Sequence, residues 1–311
     1  MKDNFGREIE YLRISVTKRC NLNCSYCGSK KDGTVDEMTA DEIVALVTAF
    51  SEKGIKKVRL TGGEPLMRRD IADIARRIKN IPGISSLFIT TNGILLGKYA
   101  IALREAGVDG VNISLDTLNP VLYKEITGVD RLEDVLSSLN TCLEAGFSSV
   151  KTNTVLVKGR NDGEALSLMK LSKDKNVDVR FIELMPFSKE GENKELMVST
   201  SELLSRFSFL EKINASDKGA AKYYTAEGYL GRIGFISPRT EKFCSDCNRI
   251  RVLADGKIRP CLASNDVFDV REFIFDKEKL SRIIEKAILS KPLSHHFEDG
   301  EIFRGLNLIG G

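Results

Sequence analysis

The sequence predicts an α/β fold: an incomplete (β/α)6 TIM-like barrel followed by a C-terminal α+β extension. Three observations lead to this prediction. Short apolar runs alternate with segments of helical periodicity through the first part of the chain. The runs are rich in Val, Ile, Leu and Phe, as are strands buried on both faces of a parallel sheet. The 311 residues, 42% of them hydrophobic, suffice to bury such a sheet in a large core.

Six strands are predicted at regular intervals. They are Tyr11–Val16, Lys57–Thr61, Leu87–Thr91, Gly110–Leu115, Val150–Leu156 and Asp178–Leu184. A helical pattern follows each of the first five strands, and such crossovers join parallel strands. A doubly wound sheet would show the same alternation, so it remains the alternative to the barrel.

The helices are predicted from their caps and periodicity. The clearest begins at the N-cap Thr39, with Glu42 three residues later in a capping box, and ends at Gly54. The others are predicted at Arg69–Lys79, Lys98–Ala106, Leu132–Ala145 and Asp162–Lys173. We therefore assign residues 5–187 to the barrel.

The pattern changes from about Ser188 onward. A helix is predicted at Ser201–Phe207 and a final amphipathic helix at Lys277–Leu289. Between them, turn signals at 226–228 and 254–256 are typical of β-hairpins. Residues 188–311 are therefore predicted to form the extension, packed against the barrel.

Charge and hydropathy exclude several classes of protein. The 47 basic and 44 acidic residues leave a net charge of +3, whereas nucleic-acid-binding proteins usually carry a clear basic excess. No apolar run approaches the roughly 20 residues that span a bilayer. The N-terminus also lacks the apolar stretch of a signal peptide. The sequence therefore predicts a cytoplasmic protein that contacts neither nucleic acid nor a membrane.

Cysteine spacing gives the first indication of chemistry. Six of the seven cysteines form two clusters, and an odd total without a signal peptide favours metal binding over disulfides. Cys20, Cys24 and Cys27 follow the first strand at once. Three thiolates with this spacing can bind three irons of a [4Fe–4S] cluster and leave the fourth iron open. The second cluster comprises Cys244, Cys247 and Cys261.

Each cysteine cluster also has simpler interpretations. A zinc site or buried structural thiols are the alternatives for the first cluster. A zinc knuckle completed by His295, His296 or a distant residue is the alternative for the second. Cys142 lies in a predicted helix among leucines, where we expect an ordinary core residue.

The first cluster and its position resemble the radical S-adenosylmethionine (SAM) superfamily, as does the glycine-rich run Thr61–Pro65 at the end of the second strand. Members use the open iron to chelate SAM and cleave it reductively to a 5′-deoxyadenosyl radical. The resemblance therefore implies that SAM and a [4Fe–4S] cluster are cofactors. It also implies SAM contacts at Tyr26, Gly63, Ser114 and Met185.

The second cluster resembles the GTP 3′,8-cyclase family, as do Phe5–Arg7, Val179–Pro186 and the terminal Gly310 and Gly311. The resemblance extends over nearly the whole chain. It implies a second [4Fe–4S] cluster in the C-terminal extension, with an open iron that binds guanine. It further implies a lyase that converts GTP to 3′,8-cyclo-7,8-dihydro-GTP, the first step of molybdenum cofactor biosynthesis. Hydrogen is removed from the ribose 3′ carbon, which then attacks guanine carbon 8.

Basic residues on the predicted strands are suited to a triphosphate, because Arg and Lys bind phosphate oxygens well. Arg13, Arg59, Lys151 and Arg180 alternate with apolar neighbours, and a cation that points into a barrel is costly unless something pairs with it. A solvated strand edge or a structural ion pair is the alternative for any one of them. The family resemblance implies GTP contacts at Arg13, Lys57, Arg59, Thr90, Lys151, Arg180, Arg249 and Arg251.

The resemblance implies further roles and partners. It assigns catalytic support to Arg249, Arg251 and the tail residues Gly310 and Gly311, which enter the active site in the family; a frayed terminus is the alternative for the tail. It implies an electron donor, a homodimer, and cyclic pyranopterin monophosphate synthase as the next enzyme. The chain departs from the family at Gly28 and Ser29, where Met-Pro is usual, in the shortened segment 30–36, and at Lys18, where aspartate is common.

Two other functions fit parts of the pattern. One is a peptide-modifying radical SAM enzyme with an auxiliary cluster, which would need a peptide-docking segment before the first strand, where ten residues precede Tyr11. The other is a non-enzymatic Fe–S or zinc protein that carries electrons or binds a partner, and such a protein would not need irons left open.

Overall fold

A single sheet of 12 strands organises the part of the chain that the structure describes. This computed structural model describes residues 1–27, 36–214, 219–295 and 297. The strands are β1 (Tyr11–Ser15), β2 (Lys57–Thr61), β3 (Ser86–Thr91), β4 (Gly110–Ser114), β5 (Ser149–Val155), β6 (Asp178–Ile182), β7 (Glu211–Lys212), β8 (Lys222–Thr225), β9 (Ile233–Ile236), β10 (Arg249–Val252), β11 (Lys257–Arg259) and β12 (Phe268–Asp269).

The strands β1 to β6 lie side by side in chain order, and all their pairings are parallel. Each predicted strand is confirmed to within two residues at either end. The unbroken order decides between the two predicted topologies, because a doubly wound sheet reverses its order at a switch point. The sheet is therefore an incomplete barrel, as predicted.

The extension adds a parallel strand to each side of this six-stranded centre. β10 pairs with β1, and β9 pairs with β6. Both predicted hairpins are confirmed, since residues 226–228 connect antiparallel β8 and β9, and residues 254–256 connect antiparallel β10 and β11. The extension thus shares one sheet with the barrel, and the predicted boundary at 187/188 stays a prediction.

Helices connect most of the parallel strands. They are α1 (Ala40–Glu52), α2 (Ile71–Lys79), α3 (Leu96–Glu105), α4 (Pro120–Thr127), α5 (Leu132–Glu144), α6 (Ala165–Met169), α7 (Lys189–Glu192), α8 (Thr200–Arg206) and α9 (Lys277–Leu289). The predicted capping box is confirmed at Thr39 and Glu42. α6 is shorter than the predicted helix at 162–173 because 3₁₀ turns flank it. α4 was not predicted, although Asn119 and Pro120 are its start signals.

The main core lies between the sheet and its helices. Ile43, Leu46 and Phe50 of α1 are fully buried there, as their helical spacing predicts. Cys142 of α5 is also fully buried, and burial raises the pKa of its thiol to about 12. It is an ordinary core residue, as expected. No helix among the described residues is both long and apolar enough to cross a bilayer.

Candidate active site

A cavity of about 940 Å³ is lined by the parallel strands and by both cysteine segments. Every predicted site residue that the structure describes lines this cavity. The predicted tail residues Gly310 and Gly311 lie outside the described residues, as do His296 and the unusual pair Gly28 and Ser29. The fold therefore brings the predicted site residues together from distant parts of the chain.

The first cysteine segment follows β1 and contributes three half-buried thiols to the cavity wall. Cys20, Cys24 and Cys27 form no disulfide. Burial raises the pKa of Cys24, and the neighbouring Asp116, Cys27 and Cys20 raise it further, so the three thiols share one space. Among the described residues, no three His, Cys, Asp or Glu side chains converge on a single metal ion. A multi-iron cluster instead takes each thiolate on a different iron, and this arrangement fits such a group.

The glycine-rich turn after β2 holds this cysteine segment by backbone contacts. Gly63 N donates to Thr17 O at 2.7 Å, and Glu64 N donates to Arg19 O at 2.7 Å. A Cβ atom on Gly63 would lie 2.4 Å from the Arg19 carbonyl oxygen, so only glycine allows this approach. The close approach that the glycine permits is therefore to the chain's own backbone, while the SAM contact of Gly63 stays a prediction.

Glu64 links the ends of two strands to the cysteine segment, a role that the sequence analysis missed. Its carboxylate accepts hydrogen bonds from Thr91 Oγ1 at 2.7 Å, Asn92 N at 2.7 Å and Leu66 N at 3.1 Å. Burial raises its pKa to about 7. The side chain of Asn92 then donates to Asn21 Oδ1 at 2.8 Å, between the first two cysteines. The network fixes the cysteine segment relative to β2 and β3.

Tyr26 is held by a second carboxylate that the sequence analysis missed. Its phenol donates to Asp116 Oδ2 at 2.5 Å, and Asp116 Oδ1 accepts from Val155 N at 2.8 Å. Asn161 Nδ2 donates to the Asp116 carbonyl oxygen at 2.8 Å. Burial raises the pKa of both Asp116 and Tyr26. The ring next to Cys27 is thus fixed against the ends of β4 and β5, and the place of Asp116 just after a strand was its sequence signal.

Lys18, which stands where aspartate is common in the family, forms an ion pair with the extension. Its ammonium lies 3.0 Å from Asp255 Oδ2, in the turn between β10 and β11. The backbone N–H of Lys18 donates to Glu37 Oε1 at 3.0 Å, and Thr17 Oγ1 donates to the same carboxylate at 2.5 Å. The lysine therefore connects the first cysteine segment to the extension.

Strand register places cations side by side on the cavity wall. Arg13 of β1 lies opposite Arg59 of β2 and Arg251 of β10. Lys57 and Arg249 lie two residues earlier on the same two strands. Burial, followed by the like charge of Arg251, lowers the pKa of Arg13 well below its ordinary value. Burial and then Arg249 lower the pKa of Arg251 to about 10. Such a concentration of buried positive charge favours an anionic ligand.

Lys151 of β5 and Arg180 of β6 add to this surface. Lys151 Nζ lies 3.0 Å from Asp178 Oδ2. The structural ion pair that was the alternative to phosphate binding is therefore present at this lysine. In the part of the chain that the structure describes, the buried Nε of Arg180 has no hydrogen-bond partner, and neither does Oδ1 of the adjacent Asn153. An unsatisfied buried polar group costs about 1–3 kcal/mol, and a polar ligand would remove that cost.

The remaining predicted contacts lie near the carboxyl ends of strands. Thr90 of β3 accepts a hydrogen bond from Arg59 Nη1 at 3.3 Å, Ser114 ends β4, and Met185 follows β6. All three line the cavity. This is the edge where barrel enzymes place their active sites. Their ligand contacts stay predictions.

The second cysteine segment contributes three more half-buried thiols, none in a disulfide, at Cys244, Cys247 and Cys261. Burial opposes ionisation of Cys247, but Lys291 and Arg249 outweigh it and lower its pKa. Burial likewise opposes ionisation of Cys244, but the adjacent His295 lowers the pKa to about 7. Arg251 lies close enough to Cys247 and Cys261 to interact with their charges. Three thiols that line one cavity beside these cations fit a second cluster.

Comparison with known proteins gives a consistent result. Residues 14–172 match the model of the Radical SAM superfamily, and residues 177–297 match the model Molybdenum Cofactor Synthesis C. The chain is 44% identical to a GTP 3′,8-cyclase from Alkaliphilus oremlandii, with 100% of both chains covered. It is 43% identical to a GTP 3′,8-cyclase from Limosilactobacillus fermentum, with 99% of this chain and 98% of the relative covered.

Solved structures resemble this fold at lower identity. Streptococcus suis SuiB bound to S-adenosylmethionine has a TM-score of 0.59 at 16% identity, over 86% of this chain and 64% of that chain. HydG, a maturase of the [FeFe]-hydrogenase, has a TM-score of 0.51 at 16% identity, over 63% of this chain and 47% of that chain. At these identities the two structures establish the fold alone.

Proposed function

This chain belongs to the GTP 3′,8-cyclase family of the radical SAM superfamily, and we propose that its cavity converts GTP to 3′,8-cyclo-7,8-dihydro-GTP, the first step of molybdenum cofactor biosynthesis. SAM and [4Fe–4S] clusters are its cofactors. One observation carries the proposal: a single cavity is lined by two triplets of thiols and by a continuous surface of cations. Radical chemistry on a nucleotide requires both within reach of one substrate.

The first cysteine segment and its supports are assigned to SAM. Cys20, Cys24 and Cys27 would hold the cluster, which together with SAM supplies a 5′-deoxyadenosyl radical when both are bound. The Asp116 carboxylate holds the ring of Tyr26 beside them. Gly63, Ser114 and Met185 complete the proposed SAM contacts, and the glycine also brings the turn after β2 against the cysteine segment.

The cationic surface is assigned to GTP. Arg13, Arg59 and Arg251 are adjacent on three strands, and their guanidinium groups suit phosphate oxygens. The unsatisfied Nε of Arg180 and Oδ1 of Asn153 offer one donor and one acceptor to the same ligand. Holding the ribose and guanine in one orientation, away from water, is the protein's contribution to a radical cyclisation.

The second cysteine segment is assigned to the guanine end of GTP. Cys244, Cys247 and Cys261 would hold a second cluster, with an open iron available to the base. Arg249 and Arg251 lie beside these thiols and belong to the cationic surface as well, so they connect the two parts of the nucleotide site. The tail residues Gly310 and Gly311 are proposed to enter this site, as the family resemblance implies.

Partners and location complete the proposal on the strength of family membership. An external electron donor reduces the clusters, and cyclic pyranopterin monophosphate synthase takes the product. A homodimer in the cytoplasm is proposed on the same ground. We also propose the division into residues 5–187 and 188–311. Two separate family models, over residues 14–172 and 177–297, support a division of the chain into two parts.

Product analysis tests the proposed reaction. Removal of one hydrogen atom from GTP, ring closure, and addition of one electron and one proton leave the mass of GTP unchanged. We therefore expect anaerobic incubation with GTP, SAM and a strong reductant to yield an isomer of GTP with altered chromatographic retention, together with one 5′-deoxyadenosine per product. Production of 5′-deoxyadenosine with unaltered GTP would contradict the proposal.

A further inference from the structure

Tyr11 lies within the cationic surface, although the proposed function gives it no role. It is the first residue of β1 and lies opposite Lys57 of β2 and Arg249 of β10. Its phenol oxygen accepts a hydrogen bond from Arg59 Nε. The Lys57 ammonium lies 5.0 Å from the centre of its ring. Tyr11 therefore contacts the side chains proposed to hold the phosphates.

Cations from four strands face this phenol. They are Arg13 of β1, Lys57 and Arg59 of β2, Arg180 of β6, and Arg249 and Arg251 of β10. On β3 the apolar ring of Phe88 lies 5.0 Å from the Arg59 guanidinium carbon. The neighbouring carboxylate, Glu10, pairs with the exposed Lys56 at 2.6 Å. Asp178 of β6 pairs with Lys151 at 3.0 Å and with Arg232 at 2.6 Å. Within the part of the chain that the structure describes, the phenol oxygen is therefore the anionic partner available to Arg59 at the centre of this surface.

The electrostatics support this role for the phenol. Burial alone would raise the pKa of Tyr11, but Arg59 and Arg13, and then Lys57, lower it to about 7. A phenolate there reduces the repulsion among the arginines, much as a phosphate oxygen would. The phenol oxygen and a triphosphate would compete for the same donors.

We propose that Tyr11 is a positioning residue of the phosphate pocket, whose phenol oxygen holds Arg59 and the neighbouring cations in the substrate-free site and gives up these donors to the phosphates when GTP binds. The inference rests on the proposed function, because it takes GTP as the ligand. Tyr11 acts through Arg59 and takes no part in the radical reaction. Once phosphate supplies the negative charge, the phenolate loses its stabilising partners and takes up a proton.

The inference predicts that the protein takes up a proton when GTP binds, and that this uptake depends on pH. Below about pH 7 the phenol is already protonated, so GTP binding takes up no proton there. Above about pH 7 the free site holds a phenolate and the complex holds a phenol, so one proton is bound for each GTP. The dissociation constant of GTP should then rise by up to about tenfold per pH unit above 7.

Calorimetry of GTP binding to the anaerobic, cluster-loaded protein tests this coupling. Titrations at about pH 8 in buffers of different ionisation enthalpy count the protons bound per GTP. Wild type is compared with Tyr11→Phe and with the matched control Tyr99→Phe, a half-buried tyrosine of α3 outside the cavity. Wild type and Tyr99→Phe should each bind close to one proton more per GTP than Tyr11→Phe. With guanosine, which has no phosphates, this difference should disappear.

A second measurement needs no variant. The chain has no tryptophan, so the phenolate band in the near ultraviolet can be followed in difference spectra. At about pH 8, GTP should remove up to one phenolate from wild type, and guanosine should remove none. Equal proton uptake in all three proteins, or an unchanged phenolate band when GTP binds, would overturn the inference and leave the proposed function intact. Wild-type protein that binds no GTP would instead overturn the proposed function.

Discussion

The two cysteine segments line one cavity but lie in opposite electrostatic surroundings. Carboxylates adjoin the first segment, and the pKa values of Cys20 and Cys24 are raised by burial and then by Glu64 and Asp116, respectively. Cations adjoin the second segment, where the pKa of Cys247 is lowered despite burial because Lys291 and Arg249 lie close by.

The difference corresponds to the two proposed ligands. SAM carries a sulfonium cation, and carboxylates beside the first segment suit a positive ligand. GTP is a polyanion, and cations beside the second segment suit a negative one. The two similar cysteine triplets in one cavity thus differ in the charges around them. We call the first cysteine segment with Glu64 and Asp116 the SAM half of the cavity, and the second cysteine segment with the cations the GTP half.

Loss of a thiol should have the largest effect. Cys24→Ser is expected to lose the first cluster and with it all cleavage of SAM, whereas Cys247→Ser should keep SAM cleavage but yield no cyclised product. In each variant about half of the bound iron should remain, since each triplet would hold one cluster. Iron analysis and 5′-deoxyadenosine assays measure this. The buried Cys142→Ser is the matched control and should retain all the iron. Loss of all iron from either cluster variant would mean that the two sites are not independent.

Removal of a buried cation should come next. Arg180→Ala deletes a guanidinium assigned to GTP and should weaken GTP binding by about 2–5 kcal/mol, the usual effect of breaking a buried charge pair. SAM binding should be unchanged. Equilibrium binding of each ligand measures both effects. The control is Arg282→Ala, which removes a guanidinium from the exposed face of α9. It should change the affinity for neither GTP nor SAM. A comparable loss of SAM affinity in Arg180→Ala would contradict the division into two halves.

Two aspartates, the buried Asp116 and the half-buried Asp178, allow the same substitution on each side of the cavity. Asp116→Asn weakens the hydrogen bond that holds Tyr26, so we expect SAM affinity to fall by roughly 10–100-fold, as supporting residues typically show. Asp178→Asn disturbs Lys151 and Arg232 and should affect GTP binding alone. The same binding assays apply to both variants. If either substitution changed both affinities equally, the carboxylates would not be specific to their halves.

The smallest expected effect is on stability, when the ion pair between the first cysteine segment and the extension is removed. Lys18→Ala removes the half-buried ion pair with Asp255. Pairs of this exposure contribute up to about 1 kcal/mol to the free energy of unfolding, so denaturant unfolding should show a loss of that order. Lys279→Ala, which breaks an exposed pair on α9, should cost less. A loss of several kcal/mol in the free energy of unfolding would show that Lys18 stabilises the first cysteine segment through contacts other than this ion pair.

Much of the fold could be predicted because its signals are local. The central strands are short apolar runs, and α1 carries its capping box in the sequence. The parallel positions of β9 and β10 could not be predicted, because pairing with β6 and β1 depends on contacts between residues far apart in the chain. The division of the helix at 162–173 also escaped prediction, since 3₁₀ turns have no distinct periodicity.

The candidate site shows the same limit. Cysteine spacing and family resemblance identified residues that line the cavity, and their contacts with ligands stay predictions. Glu64, Asp116 and Tyr11 were missed because their partners come from neighbouring strands: Glu64 meets Thr91, Asp116 meets Tyr26, and Tyr11 meets Arg59. Such residues are recognised only after the strand register is known.

Hydrogen transfer from GTP to the 5′-deoxyadenosyl group of SAM tests most directly whether both halves act on one substrate. The cluster-loaded protein is incubated without oxygen with SAM, a strong reductant and GTP deuterated at the ribose 3′ carbon. We expect 5′-deoxyadenosine to gain one mass unit, because the SAM half would hold SAM within reach of the ribose of the nucleotide held by the GTP half. Unlabelled 5′-deoxyadenosine would contradict this account.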